Sequence, residues 1–91
     1  MLESTLEQAV RRLIKSRGGR AFKWVCPGET GVPDRIIILP GGRIIFCELK
    51  RPGRKDGRSP RQKKIAAVLE GLGCEVWLAN DLDDLKARLD S

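Results

Sequence analysis

The sequence contains no histidine, and its aromatic residues are only two tryptophans and two phenylalanines. Without histidine the chain cannot carry a Ser–His or Cys–His catalytic pair, and it also lacks a usual zinc ligand. So few aromatic rings do not suggest a platform that stacks single-stranded bases. Any chemistry must therefore use carboxylates, lysine and a hard metal ion.

Cysteine and long apolar stretches are also scarce. The three cysteines, Cys26, Cys47 and Cys74, form no Cys-x-x-Cys pair, which argues against structural zinc and favours buried thiols in a reducing compartment. No apolar run approaches the roughly 20 residues of a membrane span. The N-terminus lacks the basic-then-apolar layout of a secretion signal. We expect an intracellular protein with no membrane partner.

Positive charge is what the chain has in excess. Its 91 residues, read as a single domain spanning residues 1–91, carry 18 basic side chains and a net charge of +6. The segment Lys50–Lys64 concentrates eight basic residues against one acid, Asp56. Such a balance indicates a polyanionic partner, most often nucleic acid, although simple solubility is the alternative.

Hydrophobic periodicity predicts an α/β domain with the order helix, three strands, helix, strand, short helix. The helices cover residues 3–17, from 60 to about 72 and 81–89, and the strands cover 21–26, 35–39, 43–49 and 74–79. Ser59 is predicted to cap the second helix, with Pro60 as its first residue. A mixed central sheet flanked by helices buries these faces, and the last strand–helix–strand passage predicts a right-handed parallel crossover.

Ionised residues stand at the ends of the second and third strands rather than in loops. A three-residue loop, Pro40-Gly41-Gly42, with a type I turn and a left-handed Gly42, pairs Leu39 with Arg43. Counting back along both strands places Asp34 opposite Glu48 on one face, and Lys50 shares that face. A two-residue Gly-Gly loop would shift the register by one and separate the carboxylates.

Two carboxylates that face each other destabilise a strand pair unless a cation compensates. Mg²⁺ suits a site of one or two carboxylates, waters and a phosphate oxygen. Lys50 would then orient a water or stabilise charge on the phosphate. The alternative is a local surface ion pair.

Two further residues join this group. Glu7 lies on the apolar face of the first helix and could reach the site, or it could border a solvated face. Gln62, in the first turn of the second helix, could hydrogen-bond a water or a phosphate, but taken alone it means little.

The motifs Gly31-Val32-Pro33-Asp34 and Glu48-Leu49-Lys50, with Glu7 before them and Gln62 after them, resemble the VRR-NUC (virus-type replication-repair nuclease) domain of the PD-(D/E)xK superfamily. The resemblance implies a restriction-endonuclease-like αβββαβ core followed by a short C-terminal helix. It implies that Asp34, Glu48 and the backbone carbonyl of Leu49 bind Mg²⁺ or Mn²⁺, with Glu7 as a further candidate ligand. Lys50 would act on the nucleophilic water, and Gln62 would support the site.

The function that follows is a metal-dependent, structure-selective DNA endonuclease without a nucleotide cofactor. The resemblance favours a homodimer that resolves Holliday (four-way) junctions. Trp24 and Trp77 are candidates for its interface, although ordinary core roles are favoured. The alternatives are a non-catalytic DNA-binding module, or a nuclease that cuts flaps or simple duplex with a targeting partner. The phosphate-binding residues are predicted to be Arg51, Arg54, Lys55, Arg58, Arg61, Lys63 and Lys64.

Overall fold

A computed structural model describes residues 3–49 and 58–91 of the chain. Within these residues the order of helices and strands is the one that the sequence predicts. The elements are α1 (Glu3–Ser16), β1 (Arg20–Lys23), β2 (Arg35–Leu39), β3 (Arg43–Leu49), α2 (Pro60–Gly71), β4 (Glu75–Ala79) and α3 (Leu82–Leu89). None of the described helices is long and apolar enough to cross a membrane.

The four described strands form one mixed sheet in the order β1-β2-β3-β4. The β1–β2 and β2–β3 pairs are antiparallel, and the β3–β4 pair is parallel. A parallel pair needs a crossover connection, which contains α2. The predicted α/β class and mixed sheet are therefore confirmed.

The core lies between one face of the sheet and the helices α1 and α3. The apolar stripe of α1 recurs at helical spacing, so that one side of the helix is buried while the other meets solvent. Leu85 of α3 and Ala79 of β4 close the same cluster. The remaining buried residues of this core are Leu6, Val10, Leu13, Ile14, Ile37, Ile45, Cys47 and Leu49.

Helix α1 ends as its glycines predict. Gly18 has φ +83°, a left-handed conformation that side chains with a Cβ rarely adopt. The Gly19 N–H then donates to the carbonyl of Ile14 at 3.0 Å, which satisfies an end carbonyl of the helix. The chain turns directly into β1.

Strand β1 is shorter than predicted, ending at Lys23 instead of Cys26. The Trp24 N–H still donates to the Asp34 carbonyl at 2.9 Å, but β2 begins only at Arg35. Beyond Lys23, β1 therefore has no residue of β2 left to pair with. Val25 is consequently 70% exposed.

Periodicity predicts that Ile65, Val68, Leu69 and Leu72 form the apolar face of α2, and this face is buried only in part. Ala66 is buried, whereas Val68 and Leu72 are 50% and 76% exposed. Helix α2 packs chiefly on β4 and therefore leaves its outer apolar residues in solvent. Periodicity identified the helix but overstated its burial.

The sheet face opposite α1 carries large apolar side chains that remain partly in solvent. Phe22, Ile38 and Ile44 are 44%, 37% and 48% exposed. The register pairs Phe22 with Ile36 and Ile38 with Ile44, so these side chains share one face with the half-buried Phe46. We call these five residues the open sheet face.

The tryptophans occupy different surroundings. Trp77 packs against the core cluster, with the guanidinium groups of Arg43 and Arg88 at 5.5 and 5.9 Å from its ring centroid. Trp24 is half-buried, and its ring centroid lies 5.2 Å from that of Phe46. Trp77 therefore has the core role that the sequence favoured.

Candidate functional site

The hairpin of β2 and β3 sets the geometry of the site. Leu39 pairs with Arg43 and Arg35 pairs with Cys47, so the loop has three residues, as predicted. One step beyond the last pair, Asp34 stands opposite Glu48. Directly opposed residues of an antiparallel pair point to the same face. The register therefore puts the two carboxylates on one side of the hairpin, the side of the open sheet face.

The turn itself differs from the predicted type I. The Gly42 N–H donates to the Leu39 carbonyl at 3.1 Å, as in a four-residue turn that begins at Leu39. Gly41 has φ +86°, which a type I turn does not allow and a type II turn requires. Gly42 is left-handed at φ +80°, as predicted. The loop length and the register are unaffected.

Asp34 is fixed by hydrogen bonds to both neighbouring strands. Its Oδ2 accepts a hydrogen bond from the Leu49 N–H at 3.1 Å. Its backbone carbonyl accepts the bond from Trp24 on the other side. The side chain thus lies against the end of β3, beside Leu49, the residue whose carbonyl was predicted to bind metal.

Glu48 is buried, with 7% of its surface exposed. Its Oε1 accepts a hydrogen bond from Gln62 Nε2 at 3.0 Å. The other end of the Gln62 amide, Oε1, accepts the Ser59 N–H at 2.7 Å, and the Ser59 hydroxyl accepts the Gln62 N–H at 3.2 Å. This reciprocal cap at the start of α2 orients the amide so that its donor faces Glu48.

Gly31 explains how α2 reaches the carboxylates. It has φ +88°, and a Cβ at this position would lie 3.0 Å from backbone atoms of Arg61. Arg61 also donates from Nε to the Thr30 carbonyl at 3.2 Å and pairs with Glu29 at 3.5 Å. The first turn of α2 is therefore seated on the loop before Asp34. This contact was not predicted from the sequence, although the glycine two residues before Pro33 was an available signal.

Glu7 forms an ion pair with Arg35. Arg35 Nη2 is 3.3 Å from Glu7 Oε2, and Arg35 is 7% exposed. Successive strand residues point to opposite faces, so Arg35 faces α1 while Asp34 faces the other way. Within the described residues, the buried Arg35 Nε has no hydrogen-bond partner. This arginine was not among the predicted site residues.

The pKa of the Cys47 thiol reflects its burial and the negative charge of the neighbouring site. The thiol is fully buried, and burial, assisted by the negative charges of Asp34 and Glu48, raises its pKa to about 12. The thiol therefore stays protonated and serves as a small apolar side chain. This agrees with the predicted structural role.

The described residues provide two carboxylates and one adjacent backbone carbonyl. Across residues 3–49 and 58–91, no group of three or more histidine, cysteine, aspartate or glutamate residues could hold a metal ion. An all-protein cage is thus not what these residues build. A pair of carboxylates with a carbonyl still suits Mg²⁺, which keeps several waters and takes the rest of its ligands from phosphate.

The predicted basic residues are placed only in part. Lys50, Arg51, Arg54 and Lys55 lie outside the described residues. Of the others, Arg58 is half-buried, Arg61 is held on the loop at Thr30, and Lys63 and Lys64 are exposed on α2.

Comparison with known proteins identifies the family. No protein-family model matches the chain. Over 87 residues the chain is 41% identical to "Putative nuclease p44" of Acyrthosiphon pisum secondary endosymbiont phage 1, covering 96% of this chain and 90% of that protein. A solved structure described as a VRR_NUC domain has the same fold, with a TM-score of 0.89, 23% identity and coverage of 97% of this chain and 94% of the other. The chain therefore belongs to the family of this phage putative nuclease, and it has the VRR-NUC fold that its motifs indicated.

Proposed function

We propose that the chain is a divalent-metal-dependent DNA endonuclease that hydrolyses phosphodiester bonds. The observation that carries this proposal is the hairpin register that sets Asp34 opposite Glu48, with the Gln62 amide hydrogen-bonded to Glu48. A relative named as a nuclease and a shared VRR-NUC fold support the same activity. Hard oxygen donors on one face, close to a basic segment, suit a metal that also touches a phosphate.

In this proposal, Asp34, Glu48 and the Leu49 carbonyl hold Mg²⁺ or Mn²⁺. Such an ion supplies Lewis-acid stabilisation of the phosphate and lowers the pKa of a bound water. The Leu49 N–H holds the Asp34 carboxylate in place. Gln62 does the same for Glu48 by occupying Oε1. Because both carboxylates are held in advance, less side-chain freedom is lost when an ion binds.

Two further roles complete the proposed site. Lys50, two residues beyond Glu48, positions the attacking water and stabilises charge on the phosphate through its ammonium group. Glu7 assists from α1, where its carboxylate forms the ion pair with Arg35. That pair orients the Glu7 carboxylate.

The proposed substrate is a four-way DNA junction, and the proposed active form is a homodimer. A two-fold dimer would present two identical sites to opposite strands of a branched substrate. The open sheet face supports self-association, because Phe22, Ile38 and Ile44 leave more than a third of each side chain in solvent. The basic side chains of Lys63 and Lys64 suit phosphate contacts, which position DNA without reading its sequence.

The test is cleavage of end-labelled substrates by wild type and Lys50→Ala in Mg²⁺, Mn²⁺ or EDTA. A four-way junction, a flap and a linear duplex of the same arm sequence form the panel. We expect metal-dependent cutting of the junction by wild type and none by Lys50→Ala. Binding without cutting by wild type would instead indicate a non-catalytic DNA-binding module. Preferential cutting of the flap or the duplex would replace the proposed substrate but leave the nuclease activity standing.

A further inference from the structure

An open cleft of about 720 Å³ lies between α1 and the edge strand β1. Its polar side chains come from Gln8, Arg11, Arg12 and Lys15 of α1, and residues 19–21 at the start of β1 complete the lining. The Arg20 guanidinium itself lies 5.0 Å from the Phe22 ring centroid, toward the open sheet face. Among the described residues, no acidic side chain lines the cleft. None of its residues belongs to the carboxylate site or to the basic segment Lys50–Lys64, so the proposed catalysis does not use it.

Helical geometry explains why these side chains share one surface. Successive residues are turned by about 100° around the helix axis, so residues 8, 11, 12 and 15 fall within one sector. That sector lies opposite the buried stripe of α1, and all four side chains are exposed. Their charge therefore contributes nothing to the core.

The cations that α1 contributes to the cleft are not used within the described fold. Arg17, Arg43, Arg61 and Arg88 each meet a carboxylate. Among residues 3–49 and 58–91, by contrast, no ion pair involves Arg11, Arg12 or Lys15.

Keeping these charges unpaired opposes helix formation. Like charges spaced three or four residues apart destabilise a helix. Lys15, in the last turn, is favoured by the helix dipole, but Arg11 and Arg12 lie a turn earlier, where this effect has faded. The fold alone therefore does not account for a basic sector here.

We propose that this cleft binds the phosphate backbone of a duplex DNA arm, as a second contact surface separate from Lys50–Lys64. The proposal rests on the nuclease function proposed above. The eight residues of α1 from Gln8 to Lys15 span about 10 Å, which matches the rise of about three nucleotides along one strand. An unpaired guanidinium is well suited to phosphate because it donates two hydrogen bonds in a fixed plane.

The cleft also has a suitable position relative to the carboxylates. It begins at Gln8, next to the Glu7 that reaches Arg35, and it ends at Arg20, which pairs with Ile38. Ile38 is four residues from Asp34, or about 14 Å along the strand. The carboxylates face away from α1, so the cleft lies on the other side of the sheet and would receive a different stretch of the DNA. A branched substrate, whose arms diverge, would use both surfaces at once.

The test measures DNA affinity as a function of salt, in EDTA so that nothing is cut. Labelled four-way junction is titrated with wild type, Arg11→Gln, Arg12→Gln, Lys15→Gln and the triple variant. Glutamine is a good helix former, so the helix should persist, and circular dichroism verifies this. The matched control is Lys86→Gln, which removes the same charge from an exposed position of α3.

We expect the slope of log affinity against log salt concentration to flatten by about 0.9 for each phosphate contact removed. The control should leave the slope at its wild-type value. In cleavage assays the cleft variants should raise KM without lowering kcat, because these side chains do not touch the reacting atoms.

Cleft variants whose slopes equal that of the Lys86→Gln control would overturn the inference, even if wild type binds and cuts DNA normally. In that case the nuclease function survives and the cleft serves another partner, such as an acidic protein. Wild type that fails to bind DNA at all would overturn the proposed function together with the inference.

Discussion

At the scale of single residues, Gln62 joins the fold to the site. One end of its amide caps α2 through Ser59, and the other end donates to Glu48. A side chain that is held at both ends has little freedom to adopt another rotamer. The hydrogen bond to this amide therefore restrains the buried Glu48 carboxylate. Substitutions that change only one end of the amide separate its role in the helix cap from its role at Glu48.

Gln62→Glu tests this division. Glutamate at this position still accepts the Ser59 N–H, so the cap is kept, but its carboxylate faces Glu48 without a donor. We expect a loss of about 10- to 100-fold in metal affinity or cleavage rate. Gln62→Met should lose the cap as well, lowering the unfolding free energy by about 1 kcal/mol. Initial cleavage rates against Mn²⁺ concentration, with urea unfolding, measure both effects. Cleavage by Gln62→Glu within twofold of wild type would remove Gln62 from the site.

The close approach of α2 to Gly31 can be tested by substitution, because Gly28 provides a matched control. Both glycines have positive φ, +88° and +79°, but a Cβ at Gly31 would lie 3.0 Å from Arg61, whereas one at Gly28 meets nothing within 4 Å. Gly28→Ala should cost only the backbone strain of about 1–2 kcal/mol. Gly31→Ala should cost at least about 1 kcal/mol more, since α2 must shift. Equal unfolding free energies in urea would mean that the approach of α2 to this loop is not tight.

At the scale of elements, α1 is attached to the sheet by more than its apolar stripe. The Glu7–Arg35 pair joins the helix to the start of β2, and Arg35 is almost fully enclosed. A buried guanidinium that loses its partner is costly, whereas removal of both charges is much less so. This asymmetry separates a structural role of Glu7 from a catalytic one.

We expect Glu7→Ala to lower the unfolding free energy by about 2–3 kcal/mol, since Arg35 then stays buried and uncompensated. The double variant Glu7→Leu/Arg35→Met should recover most of this loss. If Glu7 also assists at the metal, as proposed, the double variant regains stability but not cleavage. Recovery of both stability and cleavage would show that Glu7 serves only as the ion-pair partner of Arg35. Urea unfolding and a cleavage assay on the same samples give the answer.

The accuracy of the sequence predictions differed among elements for physical reasons. The hairpin register could be counted from Pro40-Gly41-Gly42, because pairing across a short loop depends only on local chain geometry. Ser59 and Pro60 marked the start of α2 for the same reason. The residue at which β1 ends could not be predicted from local sequence, because it depends on where β2 begins.

The Glu7–Arg35 pair and the basic cleft escaped prediction because they depend on how α1 lies across the sheet. Side-chain pattern indicates which face of a helix is apolar, but it does not say which distant residue that face meets. The close approach of α2 to Gly31 is of the same kind. Contacts made by packing between elements were therefore the part that only the structure supplied.

At the scale of the whole molecule, the two faces of the sheet differ. One face is sealed by α1 and α3, whereas the open sheet face keeps Phe22, Ile38 and Ile44 partly in water. The carboxylates lie toward one end of this same face and the hairpin loop lies at the other. If the proposed homodimer forms through the open sheet face, apolar residues near the loop should carry the association.

Ile44→Asp should convert such a dimer to a monomer, because a carboxylate in an apolar interface would be buried without a partner. Val25→Asp is the control, since Val25 is 70% exposed in a loop outside this face. Light scattering over a range of protein concentrations reports the molecular mass. A dimer that persists in Ile44→Asp would move the interface elsewhere, and a monomeric wild type would rule out the homodimer.

The central claim is that Asp34 and Glu48 share one divalent cation. The most direct measurement is Mn²⁺ binding, followed by the electron paramagnetic resonance signal of the free ion, in wild type, Asp34→Asn, Glu48→Gln and the control Glu70→Gln. Wild type and Glu70→Gln should bind Mn²⁺ alike, and Asp34→Asn and Glu48→Gln should each lose that binding. Equal Mn²⁺ binding by all four proteins, or none by wild type, would contradict the claim.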